Sequence, residues 1–97
     1  MTWMGQHEWL HRKQKGACYY CNRQMLLPTP ETHRSDRMGG LRCTIDHKIP
    51  RARGGSNRPA NKVAACDLCN QRKGLWTETE FKLHVDANVI LWLREVC

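Results

Sequence analysis

The chain has 97 residues, six of them cysteines, and its 16 Lys and Arg residues against 9 Asp and Glu residues give a formal net charge of +7 at pH 7. A chain of this length forms one domain with a small core, so we assign residues 1–97 to a single domain that needs a metal ion, disulfides or a partner to stay folded. No apolar run is suited to a signal peptide or to crossing a bilayer, which argues against a membrane protein and favours the cytoplasm. The positive charge suits nucleic acid as a partner, or simply a soluble basic protein.

The first predicted element is a helix over residues 2–15. Thr2 is placed to cap it, Trp3 and Leu10 fall on one face, and Gly16 ends it. We therefore expect an N-terminal helix that flanks the motifs that follow.

Two Cys-x-x-Cys motifs come next, Cys18 to Cys21 and Cys66 to Cys69. In a reducing cytoplasm, two such pairs in one short chain predict a four-cysteine zinc site, with disulfide bonds as the alternative. A site with four protein ligands has no open position, so its expected role is structural. Cys97, at the end of the chain, has no assigned role.

The segment between the two motifs is predicted to be a loop followed by a strand. Residues 22–41 contain two prolines and a Gly-Gly pair, which are typical of a loop or loose hairpin. Residues 41–46 alternate between apolar and polar side chains, which predicts a strand with Asp46-His47 at its end. Cys43 is expected to be a small buried residue of this strand.

The chain then turns and forms a second strand. Pro50 directs it out of the first strand, and Gly54-Gly55 supply a tight turn or a close approach of the backbone. Residues 62–65 are the predicted second strand.

Two helices complete the predicted order. Residues 67–73 form the first, and Gly74 ends it. Thr77 and Glu80 match a capping box ahead of apolar residues at helical spacing, so a C-terminal helix is expected over residues 78–96.

Four polar residues in the middle of the chain are suited to phosphodiester hydrolysis. His47 can act as a base because histidine titrates near neutral pH. Asp46 and Asn70 offer hard oxygen ligands for a cation such as Mg²⁺, which stabilises charge on the phosphate and on the departing oxygen. Asp46 and His47 are adjacent, so they point to opposite sides of the strand and separate these two roles. Asn61 is expected to brace the loop through hydrogen bonds to its backbone.

Together these motifs resemble the HNH endonuclease family over about residues 16–75. The residues that carry the resemblance are Cys18-x-x-Cys21, Asp46-His47, Pro50, Gly54-Gly55, Asn61 and Cys66-x-x-Cys69-Asn70-x-x-Lys73-Gly74. The resemblance implies an α+β fold, in which a treble-clef-like ββα-metal finger with a structural four-cysteine zinc site is flanked by N- and C-terminal helices.

The same resemblance implies an activity and the residues behind it. His47 would be the general base, Asn61 the loop brace, and Asp46 and Asn70 the ligands of the catalytic cation. Family members cut DNA with Mg²⁺ or another divalent ion such as Mn²⁺, and leave 5′-phosphate and 3′-hydroxyl ends. Small members occur in bacteriophages and bacteria, which implies the bacterial cytoplasm as the location.

Basic residues surround the candidate site in the sequence. The predicted phosphate contacts are Arg51, Arg53, Arg58, Lys62 and Lys73, with the alternative that two or three of them only solubilise the loop. No base-reading module is evident, so we expect double-stranded DNA without strong sequence preference. One site cuts one strand, so a double-strand break would need a homodimer, a protein partner or two successive binding and cleavage events.

Two other functions fit parts of the sequence. A catalytically silent zinc-knuckle module could bind nucleic acid or act as an adaptor, but the four candidate catalytic residues are all present. A redox protein could use a Cys-x-x-Cys motif, but the expected βαβ pattern is absent. We therefore favour the nuclease.

Overall fold

The structure is a computed structural model, and it describes residues 5–84. Its helices are α1 (Gln6–Lys13), α2 (Asp67–Lys73) and α3 (Glu78–His84), and its strands are β1 (Cys43–His47) and β2 (Lys62–Cys66). The α+β prediction is confirmed, and the order strand, loop, strand, helix agrees with the sequence. No helix in the described part of the chain is long and apolar enough to span a membrane.

The two strands form an antiparallel sheet that aligns the candidate site with the second cysteine pair. Cys43 lies opposite Cys66, and His47 lies opposite Lys62. Strand β1 begins two residues later than predicted, because Arg42 instead forms a parallel bridge with Leu26. The strand also includes His47. Strand β2 runs one residue further than predicted and ends at Cys66.

The helices differ from the predictions at their ends. Helix α1 begins at Gln6, after Gly5 in extended conformation, and it ends at Lys13, since Lys15 and Gly16 take positive φ angles. It is therefore shorter than the predicted 2–15. The predicted cap Thr2 and the face residue Trp3 lie outside the described residues.

Helix α2 covers the predicted residues 67–73, and Gly74 follows it with a φ of 52°. Helix α3 begins with the predicted capping box: the amide of Glu80 donates to Thr77 Oγ1 at 3.2 Å, and the amide of Thr77 donates to Glu80 Oε1 at 2.9 Å. The predicted continuation of this helix to residue 96 lies beyond the described residues.

The core is small and rich in sulfur. The buried residues that pack together are Leu10, Cys18, Met25, Cys43, Ala64, Ala65, Cys66, Cys69 and Phe81. Four of these nine are cysteines, so the state of the thiols affects the core directly. Cys43 is buried in β1, as predicted.

The loop between the strands depends on a close backbone approach at its glycine pair. A Cβ atom added to Gly55 would lie 1.7 Å from the carbonyl oxygen of Ile49, which no side chain can accommodate. Gly54 has a φ of 89°, but no atom of the described residues lies within 4 Å of a Cβ added there. The predicted close approach is therefore confirmed at Gly55.

Substitution of each glycine by alanine should distinguish the close contact at Gly55 from the positive φ angle at Gly54. Gly55→Ala must displace the loop and should lower the free energy of unfolding by about 3 kcal/mol. Gly54→Ala meets only the strain of a left-handed backbone, which costs about 1 kcal/mol. Urea denaturation of both variants measures the difference, and equal effects would contradict the packing shown at Gly55.

Candidate functional site

Four cysteines from three parts of the fold meet in the core. Cys18 and Cys21 lie in the turn after α1, Cys66 ends β2, and Cys69 lies in the first turn of α2. Their Sγ atoms all lie within 4.8 Å of one another. The cluster therefore joins the N-terminal part of the chain to the sheet and to α2.

The distances within the cluster suit a metal ion. The Sγ atoms of Cys21 and Cys66 are 3.8 Å apart. Four thiolates about 2.3 Å from a tetrahedral ion are about 3.8 Å from one another, whereas a disulfide needs about 2.05 Å. The five described cysteines are free. The cluster can thus hold a metal ion such as zinc, and the disulfide alternative has no support here.

Backbone amides point at the sulfurs. Cys18 Sγ accepts from the amides of Tyr20 at 3.4 Å and Cys66 at 3.3 Å, and Cys66 Sγ accepts from the amide of Cys69 at 3.4 Å. Such donors stabilise thiolates and fix the orientation of metal ligands. Cys66 is at the same time the N-cap of α2.

The sulfurs also change one another's ionisation. Hydrogen bonding with Cys21 lowers the pKa of Cys18, whereas hydrogen bonding with Cys18 raises the pKa of Cys66 and of Cys69. Four thiolates this close together, three of them buried, repel one another unless a cation balances their charge. A divalent metal ion in the middle of the cluster would meet that need.

Asp46 and His47 lie at the end of β1 on opposite sides of the strand, as the sequence predicts. Asp46 is 6% exposed, whereas the His47 ring is partly exposed. The Nε2 atom of His47 lies 3.0 Å from Oδ1 of Asn57, a loop residue ten positions later. The two side chains thus face a buried and a solvated environment.

The partly buried Tyr20 and the buried Lys73 hold the carboxylate of Asp46. The hydroxyl of Tyr20 donates to Oδ2 at 2.6 Å, and Nζ of Lys73 lies 3.3 Å from Oδ2 and 3.4 Å from Oδ1. Burial, followed by the hydrogen bond to Asp46, raises the pKa of Tyr20, so its hydroxyl keeps its proton. Asp46 is therefore bound by a neutral donor and by a cation.

The position of Lys73 corrects one prediction. Its side chain is fully buried, and Nζ also donates to the carbonyl oxygen of His47 at 2.8 Å. The predicted contact with a DNA phosphate does not agree with this position, because the ammonium group does not reach the surface. Lys73 instead ties the C-terminal end of α2 to the end of β1.

Asn70 faces the same strand as Lys73. Its Nδ2 donates to Oγ1 of Thr44 at 2.9 Å. Thr44 and Asp46 lie two apart on β1, and Asn70 and Lys73 lie three apart on α2, so each pair shares one face of its element. The amide of Asn70 and the carboxylate of Asp46 therefore belong to the same contact between strand and helix.

Asn61 lies at the end of the loop and binds its backbone three times. Its Oδ1 accepts from the amide of Ile49 at 3.0 Å, and its Nδ2 donates to the carbonyls of Ile49 at 3.0 Å and Ser56 at 2.7 Å. These bonds close the loop that follows His47. The geometry is the one that a loop brace requires.

The other predicted phosphate contacts lie on the surface around the loop. Arg51 and Arg58 are exposed, Arg53 pairs with Glu80, and Nζ of Lys62 lies 3.4 Å from the side-chain oxygen of Gln6. Arg58 also lines an open groove beside the glycine pair.

Two residues of the site were not identified from the sequence. Tyr20 reaches Asp46 from 26 positions away, and Asn57 reaches His47 across the loop. Their positions in a Cys-x-x-Cys turn and a glycine loop indicate no such contact. Both depend on how the chain packs.

A family model described as HNH endonuclease matches residues 39–86. This segment belongs to the HNH endonuclease family. It contains the four candidate catalytic residues and the second cysteine pair, whereas the first pair and Tyr20 precede it. No curated protein matches the chain.

Membership of residues 39–86 in the HNH family indicates nuclease activity and a nucleic-acid substrate in general terms. The HNH segment includes β1, the glycine loop, β2 and α2, and it extends through α3. The residues described above therefore form its centre.

The metal site can be tested with two identical substitutions at buried cysteines. Cys66→Ser removes one sulfur from the cluster, so the purified protein should lose its bound ion and much of its stability. Cys43→Ser leaves all four sulfurs in place and should retain about one ion per chain. Elemental analysis of both proteins measures this, and full metal content in Cys66→Ser would rule out the four-sulfur site.

A second pair of variants compares a buried with a partly exposed ion pair. Lys73→Met leaves the buried Asp46 carboxylate without its cation, and we expect a loss of about 3 kcal/mol in the free energy of unfolding. Lys82→Met breaks a partly exposed pair with Glu78, which should cost less than about 1 kcal/mol. Urea unfolding of metal-loaded protein gives both values. Similar losses would contradict the buried role of Lys73.

Proposed function

We propose that the chain is a metal-dependent DNA endonuclease with a zinc-bearing ββα-metal finger. It would hydrolyse phosphodiester bonds, most simply in double-stranded DNA, and leave 5′-phosphate and 3′-hydroxyl ends. The observation that carries the proposal is the arrangement at the end of β1, inside the HNH segment. There a partly exposed histidine and a buried, charge-balanced aspartate lie on opposite sides of the strand.

His47 is the proposed general base. The Oδ1 atom of Asn57 can only accept a hydrogen bond, so Nε2 of His47 carries the proton in this contact. Nδ1 then holds the lone pair that takes a proton from water. The bonds of Asn61 to Ile49 and Ser56 keep the loop, and with it Asn57, in place beside the ring.

Asp46 and Asn70 are the proposed ligands of the catalytic cation. The amide nitrogen of Asn70 is engaged by Thr44, so its oxygen is the atom left for a metal. Tyr20 occupies Oδ2 of Asp46, whereas among the described residues Oδ1 is contacted by Lys73 alone and retains a lone pair. These donors suit Mg²⁺ or Mn²⁺, which when bound would stabilise charge on the phosphate and the departing oxygen.

The four-cysteine cluster is the proposed zinc site, and its role is structural. It leaves no open position for substrate or water. It also holds Cys69, which directly precedes Asn70 on α2. Zinc would thus anchor the helix that presents one ligand of the catalytic cation.

DNA binding is proposed for the basic residues that remain at the surface. Arg51, Arg58 and Lys62 are the best placed, while Arg53 must leave Glu80 to reach a phosphate. Several phosphate contacts make binding sensitive to salt. A homodimer or protein partner would supply a second site for double-strand cleavage, and the bacterial cytoplasm is the proposed location.

A second candidate is a catalytically silent zinc-knuckle module that binds nucleic acid or a protein. One observation favours it: the carboxylate of Asp46 is buried and already neutralised by Lys73. In that case Asp46 would serve only to hold α2 against β1.

Cleavage of supercoiled plasmid in Mg²⁺, Mn²⁺ or EDTA distinguishes the two functions. His47→Ala should lower the rate by about 100-fold or more, because it removes the general base, while zinc content and DNA binding stay unchanged. His33→Ala, at an exposed histidine of the 22–41 loop, is the matched control and should cut normally.

Retained activity in His47→Ala would remove His47 as the base. If the folded, zinc-loaded wild type cuts under none of these conditions but still binds DNA, the silent module is favoured instead. The ratio of nicked to linear plasmid also shows whether one strand or both are cut.

A further inference from the structure

Two side chains bind the carboxylate of Asp46, and each lies in a segment that also carries cysteines of the cluster. Tyr20, which donates to Oδ2, lies between Cys18 and Cys21 in the first motif. Lys73, which contacts both oxygens, ends the helix that the second motif begins. Each Cys-x-x-Cys motif therefore contributes one contact to the same carboxylate.

The ring of Tyr20 has little freedom to move. It makes edge-to-face contacts with Tyr19 and Phe81, each with a centroid separation of 5.1 Å. Its own amide donates to Cys18 Sγ at 3.4 Å, so the backbone is tied to a sulfur of the cluster. The hydroxyl therefore reaches Asp46 from a position that the cluster and the aromatic packing determine together.

The hydrogen bond to Tyr20 also orients the carboxylate. With Oδ2 bound at 2.6 Å, the carboxylate cannot rotate without losing a short, charge-assisted bond. Oδ1 is then the oxygen left for a further ligand. Lys73 balances the negative charge but lies at similar distances from both oxygens, so it does not select between them.

We propose that Tyr20 is a positioning residue that couples the four-cysteine cluster to the catalytic centre by fixing Asp46 for the divalent cation. This inference rests on the proposed function, since it takes Asp46 as a ligand of that cation. It predicts that the structural metal site controls the affinity of the catalytic site through a single hydroxyl group. Tyr20 itself touches neither substrate nor cation.

The adjacent tyrosine provides a matched control. Tyr20→Phe removes the hydroxyl bound to Asp46 but keeps the ring between Tyr19 and Phe81. Tyr19→Phe removes a hydroxyl that donates to Glu78 at 3.2 Å, away from the carboxylate. Both variants lose one oxygen atom from neighbouring positions in the same turn.

The test measures Mn²⁺ binding to zinc-loaded protein by electron paramagnetic resonance, alongside plasmid cleavage as a function of Mn²⁺. We expect Tyr20→Phe to bind Mn²⁺ about 10- to 100-fold more weakly than wild type, with a matching rise in the Mn²⁺ needed for cleavage. Tyr19→Phe should behave as wild type. Zinc content should be the same in the two variants, whereas Tyr20→Phe should melt at a lower temperature, because it removes a hydrogen bond from a buried carboxylate.

A second measurement keeps the hydroxyl and so does not depend on the stability of a variant. With 3-fluorotyrosine at position 20, added Mg²⁺ should shift the ¹⁹F resonance, because the cation binds the carboxylate that accepts the hydrogen bond. The same label at position 19 should shift little.

The outcomes separate this inference from the proposed function. If wild type cleaves DNA but Tyr20→Phe binds Mn²⁺ and cuts as Tyr19→Phe does, or if the label at position 20 does not respond, the role of Tyr20 is overturned and the nuclease stands. If zinc-loaded wild type neither binds Mn²⁺ nor cleaves, both proposals fail together.

Discussion

Four thiols that meet in the core of a short chain create a strong constraint on the whole molecule. Buried thiolates repel one another, and only a central cation allows them all to be charged. Within residues 5–84 the apolar residues around them are few, so this part of the fold depends on the local balance of charge. Because its members come from the turn after α1, from β2 and from α2, the cluster defines how these parts meet.

The same constraint places the candidate active site. The first motif carries Tyr20 and the second begins the helix that carries Asn70 and Lys73, and all three side chains contact β1. A buried pair such as Asp46 and Lys73 is rarely more stabilising than apolar packing of the same volume, because desolvation offsets the attraction. We therefore attribute its presence to the function of the carboxylate and not to stability.

On the opposite side of β1, backbone hydrogen bonds and close packing hold the chain in place of a cluster of cysteines. There the loop to β2 is held by hydrogen bonds from Asn61 and by the close approach at Gly55, and most of its residues are exposed. This leaves His47 accessible to solvent while its ring is held by Asn57. One short strand thus separates a dry, charge-balanced side suited to a cation from a wet side suited to a base.

The sequence by itself determined the features whose causes are local: the paired cysteines, the order of strands and helix, the end of α2 at Gly74 and the capping box of α3. These follow from ligand spacing, backbone preferences and caps within a few residues. The role of Lys73 was wrongly predicted because a lysine one turn beyond Asn70 looks the same in sequence whether it is exposed or buried. The tertiary structure alone decided that Lys73 is buried and that Tyr20 reaches Asp46, because hydrogen bonds between distant residues depend on how the elements pack.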